Sequence, residues 1–136
     1  MRAAILAVMM TLSAAGVRAE EHRPYPVTDC GKFTTQMDLN KCAMDNLKSA
    51  DRALNDTYQA LMSKQDDAAS KLRLRAAQRA WIAYRDRECA FEVGPQETGG
   101  TIWPTEFGGC MEQITATRIR ELKQAISCTP LACPAH

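Results

Sequence analysis

The chain has 136 residues, with 17 Lys and Arg against 16 Asp and Glu, and 46% of its residues are hydrophobic. This size and composition are typical of one ordinary globular domain and argue against a disordered chain. The formal net charge of +1 argues against a nucleic-acid binder, and the only long apolar run lies at the N-terminus, which excludes a polytopic membrane protein.

Residues 1–19 predict a cleaved secretory signal. A short positively charged segment, residues 1–2, precedes an apolar segment at residues 3–12. Residues 13–19 then end in the small-residue pattern of a cleavage site after Ala19. The apolar run has about half of the roughly 20 residues that a bilayer span needs. No cysteine stands at the predicted cleavage point for lipid attachment. We therefore expect a soluble periplasmic or secreted chain that starts at Glu20 and has no stable membrane insertion.

Residues 20–34 predict an extended or loosely ordered lead-in, because they carry two prolines and no apolar periodicity. Heptad spacing of apolar residues then predicts a helix over about residues 35–64, with Thr34 or Thr35 as its N-cap. Two polar residues, Asn40 and Asp51, interrupt the apolar stripe of this helix. The stripe consists of Met44, Leu47, Leu54, Tyr58 and Leu61.

Two further helices follow. A short polar connector leads to a helix predicted over about residues 67–92, which Gly94 and Pro95 end. Its expected apolar stripe is Leu74, Ala77, Trp81, Tyr84 and Phe91. Residues 93–104 predict a loop, and the third helix follows Pro104 and runs to about Ser127. Its expected apolar side is Met111, Ile114, Thr115, Leu122, Ala125 and Ile126.

No strand pattern appears, so the predicted fold is all-α. Three amphipathic helices with one short and one longer connection predict an antiparallel up-down-up bundle over residues 35–127. An even number of cysteines in an exported chain predicts disulfide bonds that staple this bundle. The six are Cys30, Cys42, Cys89, Cys110, Cys128 and Cys133.

The preferred pairing joins Cys30 to Cys42, Cys89 to Cys110, and Cys128 to Cys133, because each bond closes a local loop. The third bond would pin the tail, residues 128–136, as a turn. The hairpin of the first two helices also brings residues 42 and 89 to nearly the same height, so a bond between Cys42 and Cys89 is the alternative.

The sequence offers little catalytic or metal-binding chemistry. Its two histidines, His22 and His136, lie in terminal segments, where packing cannot hold a catalytic base. Cys128, Cys133 and His136 can be written as three zinc ligands, but no fourth ligand lies near them. We expect no enzyme activity, no metal and no cofactor.

Asp51 on the first helix and Arg118 on the third occupy positions where an ordinary helical bundle would have leucine. Asp51 lies nine residues after Cys42, and Arg118 lies eight residues after Cys110. The two side chains are therefore expected at about the same height along the bundle axis. A buried charge needs a partner. We predict that Asp51 pairs with Arg118, with Arg79 as the alternative partner; two solvated residues at the rim are the other interpretation.

Two sets of residues are candidates for binding. The second helix is basic over residues 71–87, where Arg75, Arg79 and Arg85 share an arc with Lys71 that an anionic glycan, lipid head group or nucleic acid could contact. Pairing with carboxylates of the other helices is the interpretation we favour for these arginines. Ile102 and Trp103, with Glu106, lie at the glycine-rich loop and are candidates for a protein contact. An aromatic ring folded down over the bundle end is the alternative for Trp103.

Over about residues 29–123, the sequence closely resembles the lysozyme inhibitor LprI-like domain family. The matching residues are Asp29-Cys30, Thr35-Gln36-Met37, Asn40-Lys41-Cys42-Ala43, Ala50-Asp51, Leu54-Asn55, Tyr58, Ala77-Gln78-Arg79, Trp81-Ile82, Tyr84-Arg85-Asp86, Cys89, Gly99-Gly100, Cys110, Thr117-Arg118 and Leu122. The named inhibitor of that family is a lipoprotein, whereas this chain lacks the lipidation cysteine. Cys128 and Cys133 also lie beyond the shared motif.

The resemblance implies an exported bacterial helical protein that binds a lysozyme or another peptidoglycan-cleaving enzyme and blocks its cleft, with the loop around Trp103 as the expected contact. Cleavage after Ala19 removes Arg2 and Arg18, so the mature charge is 15 − 16 = −1. This charge gives little electrostatic steering toward a cationic lysozyme. The alternative function is a cell-envelope binding or structural module that contacts an anionic glycan or envelope protein through the basic helix.

Overall fold

The computed structural model describes residues 23–128, and over that range it contains three α-helices, two short 3-10 helices and no strand. The α-helices are α1, Gln36–Ser63; α2, Ala68–Val93; and α3, Trp103–Ser127. The all-α prediction is confirmed, and each predicted helix end lies within two residues of the observed one. The predicted signal, both histidines and the tail from residue 129 lie outside the described residues.

Local side-chain chemistry sets the helix starts. The Thr35 hydroxyl accepts a hydrogen bond from the backbone N–H of Asp38 at 3.1 Å, so Thr35 is the N-cap of α1. Asp67 caps α2 in the same way, since its carboxylate accepts from the Ser70 N–H at 2.8 Å. Pro104 lies in the first turn of α3, where a missing N–H costs nothing.

The hydrophobic core lies mainly between α1 and α3, which form the closest helix pair. Its buried apolar side chains are Leu47, Leu54 and Leu61 of α1, and Met111, Ile119 and Leu122 of α3. Gly108 permits this close approach, because a Cβ there would lie 3.2 Å from the Met44 sulfur. The predicted stripe of α1 is thus largely buried. On α3 the predicted Ala125 is exposed, whereas Ala116 and Ile119, which the prediction omitted, are buried.

Helix α2 does not bury the predicted stripe. Leu74 and Trp81 are half-buried, but Ala77 is exposed, and so are 54% of Tyr84 and 84% of Phe91. The inward positions of α2 are instead Gln78, Arg85 and Cys89. Positions 78 and 85 are each one residue beyond 77 and 84, and one residue turns an α-helix by about 100°. Polar partners on α1 and α3 therefore set the orientation of α2, and the apolar spacing of its sequence is misleading.

Both disulfide bonds predicted inside the bundle are confirmed. Cys30 is bonded to Cys42, and Cys89 to Cys110, each with Cα atoms 5.7 Å apart. The alternative bond between Cys42 and Cys89 is wrong. The first bond ties a 3-10 helix, Cys30–Lys32, to the start of α1, and the second ties the end of α2 to the start of α3. The predicted bond between Cys128 and Cys133 falls partly outside the described residues.

The described part of the predicted lead-in, residues 23–34, contains the 3-10 helix Cys30–Lys32 and is pinned to the bundle. We call residues 23–29 the strap. Tyr25 of the strap is buried in the core among α1 and α3 residues. The carbonyl of Pro26 accepts from the Ser49 hydroxyl at 2.9 Å, and Asn46 makes hydrogen bonds of 2.8 and 2.9 Å with the backbone of Thr28.

Candidate functional site

The first candidate surface is the loop between α2 and α3 together with the first turn of α3, residues 94–106, which we call the loop edge. Trp103 is half-buried and begins α3 rather than lying in the predicted loop. Its indole Nε1 donates to the Gly94 carbonyl at 3.0 Å, and its ring stacks on Phe107 with centroids 4.5 Å apart. Trp103 thus folds down over the bundle end and supports the loop from below.

Hydrogen bonds within the loop edge give it one conformation. The N–H of Thr98 donates to the Pro95 carbonyl, and that of Gly99 donates to the Gln96 carbonyl, both at 3.3 Å. Asn40, the polar residue that interrupts the α1 stripe, donates to the Thr101 carbonyl at 2.8 Å. Residue 99 must be glycine, because a Cβ there would collide with the Trp103 ring. The loop edge is therefore held to both α1 and α3.

The exposed side chains of the loop edge are apolar and acidic. Ile102 is 45% exposed, and Glu97 and Glu106 are exposed on either side of it in the sequence. Residues 92–106 contain three glutamates and no Lys or Arg. This segment of the chain therefore has three negative charges and no positive one, although the net charge of the whole chain is near zero.

The second candidate surface is a cleft of about 410 Å³ between α1 and α2, which we call the α1–α2 cleft. Helix α1 lines it with Asp51, Leu54, Asn55 and Tyr58, and α2 lines it with Arg75, Gln78, Arg79, Ile82 and Arg85. The two arginines predicted as binding residues, Arg75 and Arg79, are both exposed and both line this cleft. The cleft exists because α2 packs mainly against α3 and leaves its other flank open toward α1.

Asp51 pairs with Arg85 and not with the predicted Arg118, and of the two side chains only the guanidinium is buried. Arg85 Nη1 lies 2.8 Å from Asp51 Oδ1 and donates to the Thr115 hydroxyl at 3.0 Å. Arg85 Nε donates to Asp86 at 3.2 Å, and its guanidinium lies 5.3 Å from the centre of the Trp81 ring. Three helices thus supply partners to one guanidinium.

Arg118 makes different contacts. It pairs with Glu121 at 2.9 Å, donates to the Gln78 side-chain oxygen at 3.3 Å, and lies over the other flank of Trp81, 5.8 Å from the ring centre. The alternative partner, Arg79, does not pair with Asp51 either. Counting residues from the cysteines gives the layer of a side chain, but not the direction in which it leaves its helix. Arg118 points toward α2, whereas Asp51 points into the α1–α2 cleft.

The favoured interpretation of the basic helix holds only for Arg85. Within residues 23–128, no carboxylate oxygen lies within 4 Å of Arg75 or Arg79. These two side chains keep their charges available at the mouth of the α1–α2 cleft.

The prediction missed a second polar cluster, in which the strap meets α3. Glu112 is buried on α3 and accepts hydrogen bonds from Arg23 and from the Tyr25 hydroxyl. Burial raises the pKa of Tyr25 above its usual value, and the bond to Glu112 raises it further. In the sequence, this cluster could have been found only from Glu112, a charged residue next to apolar positions of the third helix.

The described part of the chain has no group of three or more His, Cys, Asp and Glu side chains placed to hold a metal ion. None of the helices between residues 23 and 128 is long and apolar enough to cross a bilayer.

Comparison with known proteins adds two findings. A family model for lysozyme inhibitor LprI matches residues 29–122, more than half of the chain. An uncharacterized protein of Rhizobium meliloti (strain 1021) is 35% identical over an alignment 136 positions long, which covers 91% of this chain and 95% of that protein. No solved structure matches. The family match contains both disulfide bonds, the loop edge and the α1–α2 cleft.

Proposed function

This chain belongs to the lysozyme inhibitor LprI family, and from that premise we propose that it is an exported protein that binds a lysozyme or another peptidoglycan-cleaving enzyme and blocks its cleft. The two disulfide bonds indicate an oxidising compartment. Removal of a signal near Ala19 would release a mature chain that begins at Glu20 into the periplasm or the medium. The family match is the single observation that carries this function.

We assign the contact to the loop edge. A segment that is already fixed loses little conformational entropy when it binds, so its contacts contribute more fully to affinity. Trp103 and Asn40 hold the loop edge from below, while Ile102 and Glu106 face outward. An exposed isoleucine beside charged residues is the composition expected of a small anchor that enters an apolar subsite of an enzyme cleft.

The local charge also supports the loop edge. Residues 92–106 contain three glutamates and no Lys or Arg, so this segment presents negative charge to a partner. Such charge steers the encounter with a cationic enzyme even when the whole chain is almost neutral. The basic face of α2 would be repelled by the same enzyme.

A turbidity assay of bacterial cell walls tests this function. The purified protein, titrated into lysozymes of several structural types, should inhibit at least one of them at micromolar excess. Ile102→Asp should weaken inhibition at least tenfold, because it places a charge where the anchor is desolvated. Leu72→Asp is the matched control: Leu72 is 61% exposed on α2, so the same change there should leave inhibition unaltered. Absence of inhibition with every lysozyme type would overturn the proposal.

A further inference from the structure

The α1–α2 cleft has an excess of positive charge that the molecule itself does not neutralise. Arg75, Arg79 and Arg85 line it, and Asp51 is its only carboxylate. Asp51 is already paired with Arg85. Two net positive charges therefore face the cleft, and both belong to arginines with no carboxylate within 4 Å in the described chain.

The cleft offers several donor groups beside the acceptor oxygens of Asp51 and Asn55. Arg85 donates through Nε and Nη1, but its Nη2 donates to no residue between 23 and 128. Gln78 accepts from Arg118 through its side-chain oxygen, which leaves its amide nitrogen as the group without a partner on the same stretch of chain. With the guanidinium groups of Arg75 and Arg79, the cleft offers four sets of N–H donors to an acceptor-rich ligand.

The spacing of these arginines works against the stability of the helix. Arg75 and Arg79 are four residues apart, and like charges at that spacing destabilise a helix by about 0.2–0.5 kcal/mol. Lys71 extends the row by one more turn. An unneutralised row of cations beside a cleft is the arrangement expected where an anion binds.

The size and walls of the cleft limit the ligand to a small molecule. Its volume of about 410 Å³ falls within the roughly 300–1,000 Å³ of small-molecule sites, whereas a protein partner needs an interface of about 1,000 Å² or more. Tyr58 and Ile82 supply an aromatic and an apolar wall on opposite helices. This combination suits a sugar ring, which has apolar faces and hydroxyl edges.

We propose that the α1–α2 cleft binds a carboxylate-bearing saccharide. Arg75 and Arg79 hold the carboxylate, Gln78 and Arg85 donate to hydroxyl or acetamido oxygens, and Tyr58 packs on a ring face. Asp51 acts through Arg85 by fixing the direction of its guanidinium, so Asp51 is a positioning residue.

This saccharide site is separate from the loop edge. Arg85 is the cleft residue of α2 nearest to the loop edge. Eight residue steps separate it from Val93, the last residue before the loop edge, and at 1.5 Å per residue they span about 12 Å. One ligand of the volume of the cleft cannot reach both surfaces. Saccharide binding and lysozyme inhibition can therefore fail independently of each other.

Isothermal titration calorimetry on the purified protein tests the proposal with two matched disaccharides. The first contains N-acetylglucosamine linked to N-acetylmuramic acid, which carries one carboxylate. The second, di-N-acetylchitobiose, has the same type of ring and acetamido groups but no carboxylate. We expect the first to bind and the second to bind at least tenfold more weakly. Raising the salt concentration should weaken the binding of the first, because exposed charges are screened.

The variant Arg75→Gln with Arg79→Gln should lose at least tenfold in affinity for the carboxylate-bearing disaccharide and keep its lysozyme inhibition. Arg73→Gln with Arg87→Gln removes two exposed charges of α2 that do not line the cleft, and it should bind like the wild type. Equal binding of the two disaccharides, or no binding of either, would overturn the proposal. Binding of a poly-glutamate peptide in place of both sugars would overturn the saccharide assignment.

Discussion

At the scale of single residues, Arg85 organises the interior where α2 meets the other helices. Its side chain is only 10% exposed, whereas that of its partner Asp51 is 48% exposed. The charge that must be compensated is therefore the guanidinium, and the carboxylate is the group that compensates it. Thr115, which is fully buried, holds the same guanidinium nitrogen from α3.

Asp51→Ala should lower the free energy of unfolding by about 1–2 kcal/mol, because it leaves a nearly buried charge short of its partner on another helix. Urea denaturation followed by circular dichroism measures the change. Asp86→Ala is the control, since Asp86 contacts the same guanidinium at 3.2 Å but is its sequence neighbour and 52% exposed. It should cost less than about 0.5 kcal/mol. Equal losses in the two variants would contradict the role given to Asp51.

The sequence predicted that Asp51 needs a partner but did not identify it. Arg85 belongs to a run of six basic residues on α2, so by composition it resembles its solvated neighbours. Only the rotation of α2 distinguishes it, and that rotation follows from contacts with Thr115 and Asp51 on other helices. A pattern confined to one helix contains no information about such partners.

At the scale of elements, the strap is the segment whose role the sequence concealed. Its prolines correctly exclude a helix, yet Tyr25 inserts into the core and its hydroxyl donates to Glu112. The carbonyl of Pro24 accepts from Lys123 of α3 at 3.2 Å, and the carbonyl of Pro26 accepts from Ser49 of α1, so the strap is bound to α3 before Tyr25 and to α1 after it. The strap has no repeated spacing of apolar residues, so the sequence did not show that Tyr25 is buried.

Because of Tyr25 in the strap, we expect the free energy of unfolding to fall at alkaline pH. Burial raises the pKa of Tyr25 above its usual value of about 10, so folding favours the neutral phenol. Stability is therefore complete below pH 10 and falls as the pH rises further, because the unfolded tyrosine ionises first. Between pH 9 and pH 11 this effect amounts to about 1 kcal/mol.

Urea denaturation at the two pH values measures the effect. Tyr25→Phe should lower stability at pH 9 and reduce the further loss between pH 9 and pH 11. The control is Tyr84→Phe, which removes the same hydroxyl from a side chain that is 54% exposed. It should leave the pH dependence unchanged. An identical loss in wild type and Tyr25→Phe would contradict the role of the strap.

The helices themselves were predictable, for reasons that differ between them. Heptad spacing in α1 is real core spacing, because Leu47, Leu54 and Leu61 face the closest neighbouring helix. In α2 the helix was predicted from the same kind of pattern, but Tyr84 and Phe91 of that pattern face outward. Capping residues and breakers set the ends of α2 independently of which face is buried.

At the scale of the whole molecule, the two disulfide bonds lie at the same end as the loop edge. The first joins the 3-10 helix that follows the strap to α1, the second joins α2 to α3, and the loop edge connects these last two helices. The α1–α2 cleft is formed by residues 51–58 of α1 and 75–85 of α2, near the middle of both helices. The loop edge is thus cross-linked and acidic, while the cleft is open and basic.

Hydrogen–deuterium exchange of the protein in complex with a lysozyme that it inhibits tests the assignment of the loop edge most directly. Backbone amides of residues 95–106 should exchange more slowly in the complex than in the free protein, while those of residues 71–82 on α2 should not change. Slower exchange in residues 71–82 with no change in residues 95–106 would show that the basic face of α2 binds the enzyme, and would contradict the assignment.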